Sequence, residues 1–308
     1  MRCDYCWGVV SPSSAPSDDL DVTVVLPAYN EVGHVRAEVD RITAALKESP
    51  YSFEILVVDD GSTDGTGDAV EGLPFVRLIR FAMNRGSGTA RRIGSAEARG
   101  RYVVWTDADM TYPNERIPEL VDHLETTGSQ QVVGARSSEE GTLKFLRVPA
   151  KWSIRKLAEY LTQSRIPDLN SGLRAFSREH ARPFLGLLPS GFSCVTTITL
   201  AFLSNGLIVD YVPIDYHKRS GRSHFHPVMD AYRYLLQVLR MVTFFEPLRV
   251  FAPLAFVLLG IGTVKAIYDV VTDPVAIAIN TMLLLITGLI LFSIGLLADL
   301  IVRVSRSR

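Results

Sequence analysis

Three cysteines in 308 residues are too few for a disulfide framework. Cys3 and Cys6 form a lone C-x-x-C near the start, with Cys194 far away. A zinc centre needs two more ligands at suitable spacing, and none lie nearby, so the pair reads as reduced thiols in a cytosolic tail. A dominant charge is also missing. The 32 basic and 33 acidic side chains leave a formal net charge of -1, without the cationic field that nucleic-acid binders use, which excludes nucleic acid as a partner. The first twenty residues carry a Ser/Pro/Asp-rich stretch and no long apolar run. That predicts a disordered tail over 1–20 and no signal peptide. The chain also lacks an internal repeat and a long low-complexity tract.

What is present begins at Asp21. Short apolar runs at 22–27, 53–59, 75–79, 102–107 and 131–135 read as strands, and helical patterns cover 32–47, 64–70, 88–98 and 116–124. Strand–helix alternation predicts a mainly parallel sheet covered on both faces, with ligands at the carboxyl ends of the strands. The stretch 137–168 is more polar, with a basic helix-like run at 151–160. Later strands are expected at 172–176 and 208–213.

The last third changes character. Residues 250–264 carry no charge, Lys265 is placed to snorkel outward, and 274–298 is a second uncharged run long enough to span a bilayer. Arg240 and Arg249 precede the pair, Arg303, Arg306 and Arg308 follow it, and Asp269 and Asp273 occupy the connector. The positive-inside rule then puts the preceding domain and both termini at the cytoplasmic face of a cell membrane crossed twice. A buried helical pair in a soluble protein is the alternative. Before the hairpin, Asp230, Arg233, Gln237 and Arg240 recur at helical spacing among apolar residues. They read as an interfacial amphipathic helix over 227–249, or as a core helix of the preceding domain.

The strongest chemical signal is Asp107-Ala108-Asp109 at a strand end. Two carboxylates one residue apart can present oxygens to one hard cation, magnesium or manganese, that keeps positions open for phosphate oxygens. Pro27-Ala28-Tyr29-Asn30-Glu31 ends the first strand with a ring face for a base and an acceptor carboxylate. The run from Val58 to Thr66, with Asp59 and Asp60, ends the second; its Ser/Thr/Asp/Gly content also suits a tight, capped turn. Asn84-Arg85-Gly86-Ser87-Gly88 opens a helix without the G-x-G-x-x-G spacing of a dinucleotide fold.

Together these residues resemble the family 2 glycosyltransferases, and within them the group that glycosylates polyprenyl phosphates. The likeness runs from about residue 22 to the end. It implies an α/β architecture: a GT-A, Rossmann-like domain with a mainly parallel sheet over 21–226, the interfacial helix, and a two-helix transmembrane hairpin with a short tail over 250–308. It implies inverting transfer of a sugar from a nucleotide-sugar donor to a polyprenyl phosphate, with Mg2+ or Mn2+ as cofactor. The bilayer is a partner, and a product flippase and a second copy of the chain are further candidates. Pro27, Tyr29, Glu31, Val58 and Asp60 would line the nucleoside pocket. Asp107, Ala108 and Asp109 would hold metal and diphosphate, and Arg219 would grip the diphosphate from the loop Arg219-Ser220-Gly221-Arg222-Ser223. Arg136 would meet the acceptor phosphate or sugar, with Lys151 and Arg155 four residues apart on one helical face. Ser171 and Arg174 belong to the acceptor-side segment Asp168-Leu169-Asn170-Ser171-Gly172-Leu173-Arg174. Arginine suits these roles because its planar fork binds two oxygens at once.

Three positions depart from the family pattern: Thr111, whose hydroxyl would be a poorer metal ligand where a glutamine often stands, Ser87 for a lysine, and His224 for a lysine. Two rival readings remain. A polysaccharide synthase would need a Q-x-x-R-W segment, and Gln237-Val238-Leu239-Arg240-Met241 ends in methionine. A catalytically silent lipid-binding scaffold would have no physical need for two crowded carboxylates.

Overall fold

The computed structural model describes residues 20–136, 156, 159–160, 162–191, 193–216, 236, 243, 246–272 and 278–306. Among them, strands β1 (Val22–Ala28), β2 (Phe53–Asp59), β3 (Val76–Arg80), β4 (Tyr102–Trp105), β5 (Gln131–Arg136), β6 (Arg174–Ser177) and β7 (Val209–Ile214) form one sheet in the order β3-β2-β1-β4-β6-β5-β7. β1 pairs in parallel with β2 and β4, β2 with β3, and β5 with β7. β6 runs antiparallel between β4 and β5 and sets Arg174 opposite Trp105.

β1 is buried at every residue, as expected of a strand covered on both faces. Its side chains alternate between two cores. Val22, Val24, Leu26 and Ala28 face α1 (Val35–Lys47) and α3 (Ile117–Thr127). Val25 faces the other way, toward the core shared by Ala90 of α2 (Ser87–Glu97) and Cys194, Val195, Ile198 and Phe202 of α5 (Cys194–Ser204). α1 docks through Val35, Val39, Ile42 and Leu46, a single stripe at helical spacing. Between β6 and α5, the short helix α4 (Arg178–Ala181) continues into a 3-10 turn at Arg182–Leu187.

Residues 64–70 form turns rather than the expected helix. Asp64 Oδ1 accepts from the Thr66 N–H at 3.0 Å and Oδ2 from the Val32 N–H at 3.1 Å, so the side chain holds a local turn that competes with helix formation.

Two long helices follow, α6 (Pro247–Thr272) and α7 (Ile279–Arg306). α6 has 26 residues and α7 has 28, enough to rise roughly 39 Å and 42 Å at 1.5 Å per residue, more than the ~30 Å hydrocarbon layer of a bilayer. Apolar side chains point away from the protein: Val264 is 70% exposed and Ile301 68%. A core pair in a soluble protein would bury them. Between the helices, Phe256 and Phe292 meet at 5.5 Å. Near the connector, Asp269 is buried and accepts from Lys265 Nζ at 3.0 Å, from the Thr281 hydroxyl and from the Ala278 N–H at 3.2 Å. Lys265 therefore turns to Asp269 instead of reaching outward, and Asp269 lies between the helices instead of facing water. Val250 packs against Ile166, Leu169, Leu200 and Ala201 and joins the base of the hairpin to the sheet domain. The expected tail over 1–20 (apart from Leu20), most of the interfacial helix over 227–249 and most of the basic run at 151–160 lie outside the described residues.

Candidate active site

The parallel strands β1, β2 and β4 end on one edge of the sheet, and the polar motifs continue from those ends. After β1, Tyr29 is 47% exposed and presents its ring at this edge. Glu31 pairs with His34 Nδ1 at 3.0 Å. The loops after β1 and β2 are laced together: the Asn30 N–H donates to Ser62 Oγ at 3.0 Å, the Thr63 N–H to Asn30 Oδ1 at 3.0 Å, and the Glu31 N–H to Thr66 Oγ1 at 2.9 Å. Much of the Ser/Thr/Asp run after β2 is therefore structural.

Asp60 accepts from the backbone N–H groups of Arg85 and Gly86 at 2.7 and 2.8 Å. Its burial raises the carboxyl pKa against the pull of these amides. It anchors the glycine loop, and a carboxylate retains further lone pairs for a ligand. The loop also presses on residues 189–191. Gly88 N–H donates to Ser190 O at 2.8 Å, and a Cβ on Gly88 would lie 2.1 Å from Pro189 O. Glycine is required there for close backbone approach, and this amide at the start of α2 is occupied.

β4 ends at Trp105, two residues earlier than expected, and the chain turns through Thr106–Thr111. Met110 adopts a positive φ of 62°, uncommon for a residue with a side chain. This bend lets Asp109 Oδ1 accept the Thr111 hydroxyl at 2.6 Å. Beneath the turn, Glu38 of α1 is fully buried, accepts from Asn114 Nδ2 at 2.7 Å and faces Arg41 Nη2 at 3.5 Å. Burial raises its pKa against those bonds. Asn114 in turn accepts from the Thr106 hydroxyl. Asp107 is partly exposed and pairs with Arg91 of α2, which is itself buried.

The segment 168–174 organises the other side. Asp168 takes Arg136 Nε at 2.7 Å and Nη2 at 3.0 Å. Burial would raise the Asp168 pKa, but the Arg136 guanidinium and two backbone amides hold it below the usual carboxylate value. Arg136 also lies 5.3 Å over the Tyr216 ring, and Tyr216 packs edge-on against Tyr112. Asn170 Oδ1 accepts from the Thr196 hydroxyl of α5 at 2.9 Å, and the Gly172 N–H donates to Tyr112 Oη at 2.7 Å. A Cβ on Gly172 would fall 2.8 Å from Asp107 Oδ2, so glycine leaves open the space beside that oxygen.

Asp107 and Asp109, two hard oxygen donors on one turn with space kept beside one of them, fit a magnesium- or manganese-sized ion whose remaining ligands come from substrate. Among the described residues no group of three or more His, Cys, Asp or Glu side chains gathers, so among them the candidate carboxylates are these two.

The structure corrects four expectations. The Val58 side chain lies in the core beneath α2 and cannot line a nucleoside pocket. Thr111 is fully buried with its hydroxyl on Asp109, so it orients a carboxylate rather than serving as a ligand. Ser171 and Arg174 are fully buried, and Arg174 donates to Val195 O, Ser171 O and Thr199 Oγ1, so neither reaches an acceptor. Pro27 and Ala108 are also buried, and serve the site through the backbone that they set. Lys151, Arg155 and Arg219 lie outside the described residues. Sequence reasoning missed Arg91, Glu38 and Tyr112.

Residues 23–183 match the model of glycosyl transferase family 2, and residues 246–304 match that of the GtrB C-terminal hairpin. The chain is 31% identical over 167 residues to a dodecaprenyl-phosphate galacturonate synthase of Rhizobium johnstonii, covering 52% of this chain and 49% of that one. It is 32% identical over 190 residues to an undecaprenyl-phosphate 4-deoxy-4-formamido-L-arabinose transferase of Yersinia pestis, covering 57% of each. A dolichyl-phosphate beta-glucosyltransferase of Trichomonas vaginalis is 32% identical over 191 residues, covering 56% of this chain and 55% of that one. The alignments thus span about half the length of these relatives. Among solved structures, glucosyl-3-phosphoglycerate synthase from Mycobacterium tuberculosis, in complex with Mn2+, UDP-glucose and phosphoglyceric acid, superposes with a TM-score of 0.56 at 21% identity, covering 72% of this chain and 80% of that one. This likeness shows the GT-A-like fold. The family model covers more than half of the 308 residues, and the chain belongs to glycosyl transferase family 2.

Proposed function

We propose that this family 2 chain transfers a sugar from a nucleoside-diphosphate sugar to a polyprenyl phosphate at the membrane surface, with inversion at the anomeric carbon. One observation carries the reading: the two-carboxylate turn at the carboxyl edge of the sheet shares a chain with a hairpin whose outward apolar side chains suit a bilayer. The relatives named for dodecaprenyl, undecaprenyl and dolichyl phosphates support the acceptor class.

In this reading the exposed Tyr29 ring takes the base, and Glu31 and Asp60 accept hydrogen bonds from base or ribose. Asp107 and Asp109 hold a Mg2+ or Mn2+ ion, which when bound neutralises charge developing on the departing diphosphate. Thr111 and Glu38 keep the turn that aims Asp109. Arg136, fixed by Asp168 and Tyr216, meets the acceptor phosphate with Lys151 and Arg155, and Arg219 grips the diphosphate. A lipid phosphate oxygen attacks the anomeric carbon, the bond from that carbon to the diphosphate oxygen breaks, and its electron pair leaves with the nucleoside diphosphate. The attacking oxygen is already ionised at neutral pH, so the chain needs no general base. Alignment and charge supply the rate.

In this reading the sheet domain and both termini lie at the cytoplasmic face, which the arginines flanking the hairpin support by the positive-inside rule. Moving the product across the bilayer is assigned in this reading to a separate flippase. The test is transfer of radiolabelled sugar from a panel of nucleotide-sugars into a polyprenyl-phosphate lipid, with Mn2+ or Mg2+, beside Asp109→Ala. Metal-dependent label in an acid-labile lipid, lost in the variant, is the expected result. A folded, membrane-inserted protein that labels no lipid from any donor overturns the reading.

A further inference from the structure

The least expected feature of the site is the cation already inside it. Arg91 sits on the buried face of α2, beside Ala90, Gly94 and Ser95. Its Nη2 binds Asp107 Oδ1, and its guanidinium carbon lies 5.8 Å over the Trp105 ring. Its Nη1 lies 3.9 Å from the Cys194 thiol, which burial keeps protonated and therefore neutral, and its Nε has no hydrogen-bond partner. Arg174 lies in the same interior. Its donors go to neutral oxygens only, Val195 O, Ser171 O and Thr199 Oγ1, and among the described residues it makes no ion pair with a carboxylate. Of these two buried guanidinium ions, Arg91 is the one paired with a carboxylate among the described residues, and that carboxylate, Asp107, is also half of the candidate metal site.

Buried charges are screened little by solvent. A guanidinium bound to one oxygen of Asp107 therefore weakens the negative potential that a second cation would meet there. Packing alone accounts poorly for Arg91, because an apolar side chain of similar length would fill the space without the cost of desolvating a charge. Asp107 Oδ2, beside Gly172, remains open.

We propose that Arg91 is a positioning residue that holds Asp107 and keeps the two-carboxylate site weak toward a free divalent cation, so that the cation is bound together with a nucleoside diphosphate. The inference rests on the reading of Asp107 and Asp109 as metal-holding residues. The diphosphate supplies the negative charge that Arg91 withholds, which couples cation and donor.

The test is Mn2+ binding by the full-length protein in nanodiscs, read as loss of the free Mn2+ spin-resonance signal, without nucleotide and with UDP or GDP. Wild type is expected to bind Mn2+ weakly alone and more tightly with one of the nucleotides. Arg91→Met and Arg91→Gln remove the charge and should bind Mn2+ alone at least about tenfold tighter, with a smaller nucleotide effect. Arg91→Lys keeps the charge and should stay near wild type. In transfer, the neutral variants should lose kcat more than they change the donor KM, because Asp107 is no longer held. A residue with a merely structural role would weaken metal binding or leave it alone. Unchanged or weaker Mn2+ binding in both neutral variants, with wild-type circular dichroism, overturns the inference while leaving the site reading intact. Absence of Mn2+ binding by wild type with either nucleotide overturns the site reading and the inference together.

Discussion

The sheet domain and the hairpin treat polar and apolar atoms in opposite ways. In the domain, Val24, Leu26, Ile42 and Leu120 are sealed from solvent, and charged side chains crowd the carboxyl edge of the sheet. In the hairpin, Val264, Leu283 and Ile301 face outward, and the polar groups Asp269, Lys265 and Thr281 bond one another. The first arrangement is built for water, the second for hydrocarbon, where an unmatched polar group has no water to turn to. The proposed transfer from a water-soluble donor to a lipid acceptor would use both kinds of surface.

The largest expected effect lies at the edge of the sheet. Asp109→Ala should lower transfer at least roughly 10²-fold with little shift in the thermal midpoint, since the Thr111 N–H and hydroxyl that it accepts lie in its own turn. A large loss of stability would instead make the turn part of the core. Next, Asp168→Asn removes the carboxylate charge that the mostly buried Arg136 faces and should cost about 3 kcal/mol in chemical denaturation, with a further loss of transfer. An unchanged midpoint would show that the Arg136–Asp168 pair contributes nothing to folding.

The acid response separates the regions further. For Glu54, burial favours the neutral form, but Arg77 and Thr23 outweigh it and hold the pKa below its ordinary 4.5. Asp168 is likewise held below 3.8. A depressed folded-state pKa gives stability that is present above the ordinary value and lost as pH falls through the folded one. Melting temperature should therefore drop as pH falls below those ordinary values, and Glu54→Gln should flatten that limb. The smallest effect belongs to the hairpin. Asp269→Ala removes a bond between helices and should change transfer less than about twofold, while making the hairpin more accessible to protease. A transfer loss as large as that of Asp109→Ala would erase the division between the regions.

Much of the fold was legible because interior parallel strands are continuous apolar runs. β2 spans the expected residues 53–59, and the hairpin announced itself by length and by the absence of charge. The place of β6 was not legible, because a four-residue strand running antiparallel between two others carries no local signal of its neighbours. At the site, Asp107 and Asp109 stood out as a local pair. The supporting residues did not. Arg91 reads as a solvated base on an amphipathic helix, and its burial follows from the approach of α5 from 103 residues away. The neighbouring Ala90, Gly94 and Ser95 were the available clue, since small residues mark the close-packed face of α2. Arg174 misled in the converse way, because a basic residue in a motif suggests a ligand contact, whereas its Nη groups bond α5 and its own loop.

The most direct test of the central claim is the partition of the labelled product. Full-length protein in nanodiscs would receive the active labelled donor together with a polyprenyl phosphate and a water-soluble phosphate acceptor. The account predicts that label enters the organic phase and is released by mild acid, as expected for a sugar on a lipid phosphate. Label confined to the water-soluble acceptor, or to a polymer stable to mild acid, would contradict it.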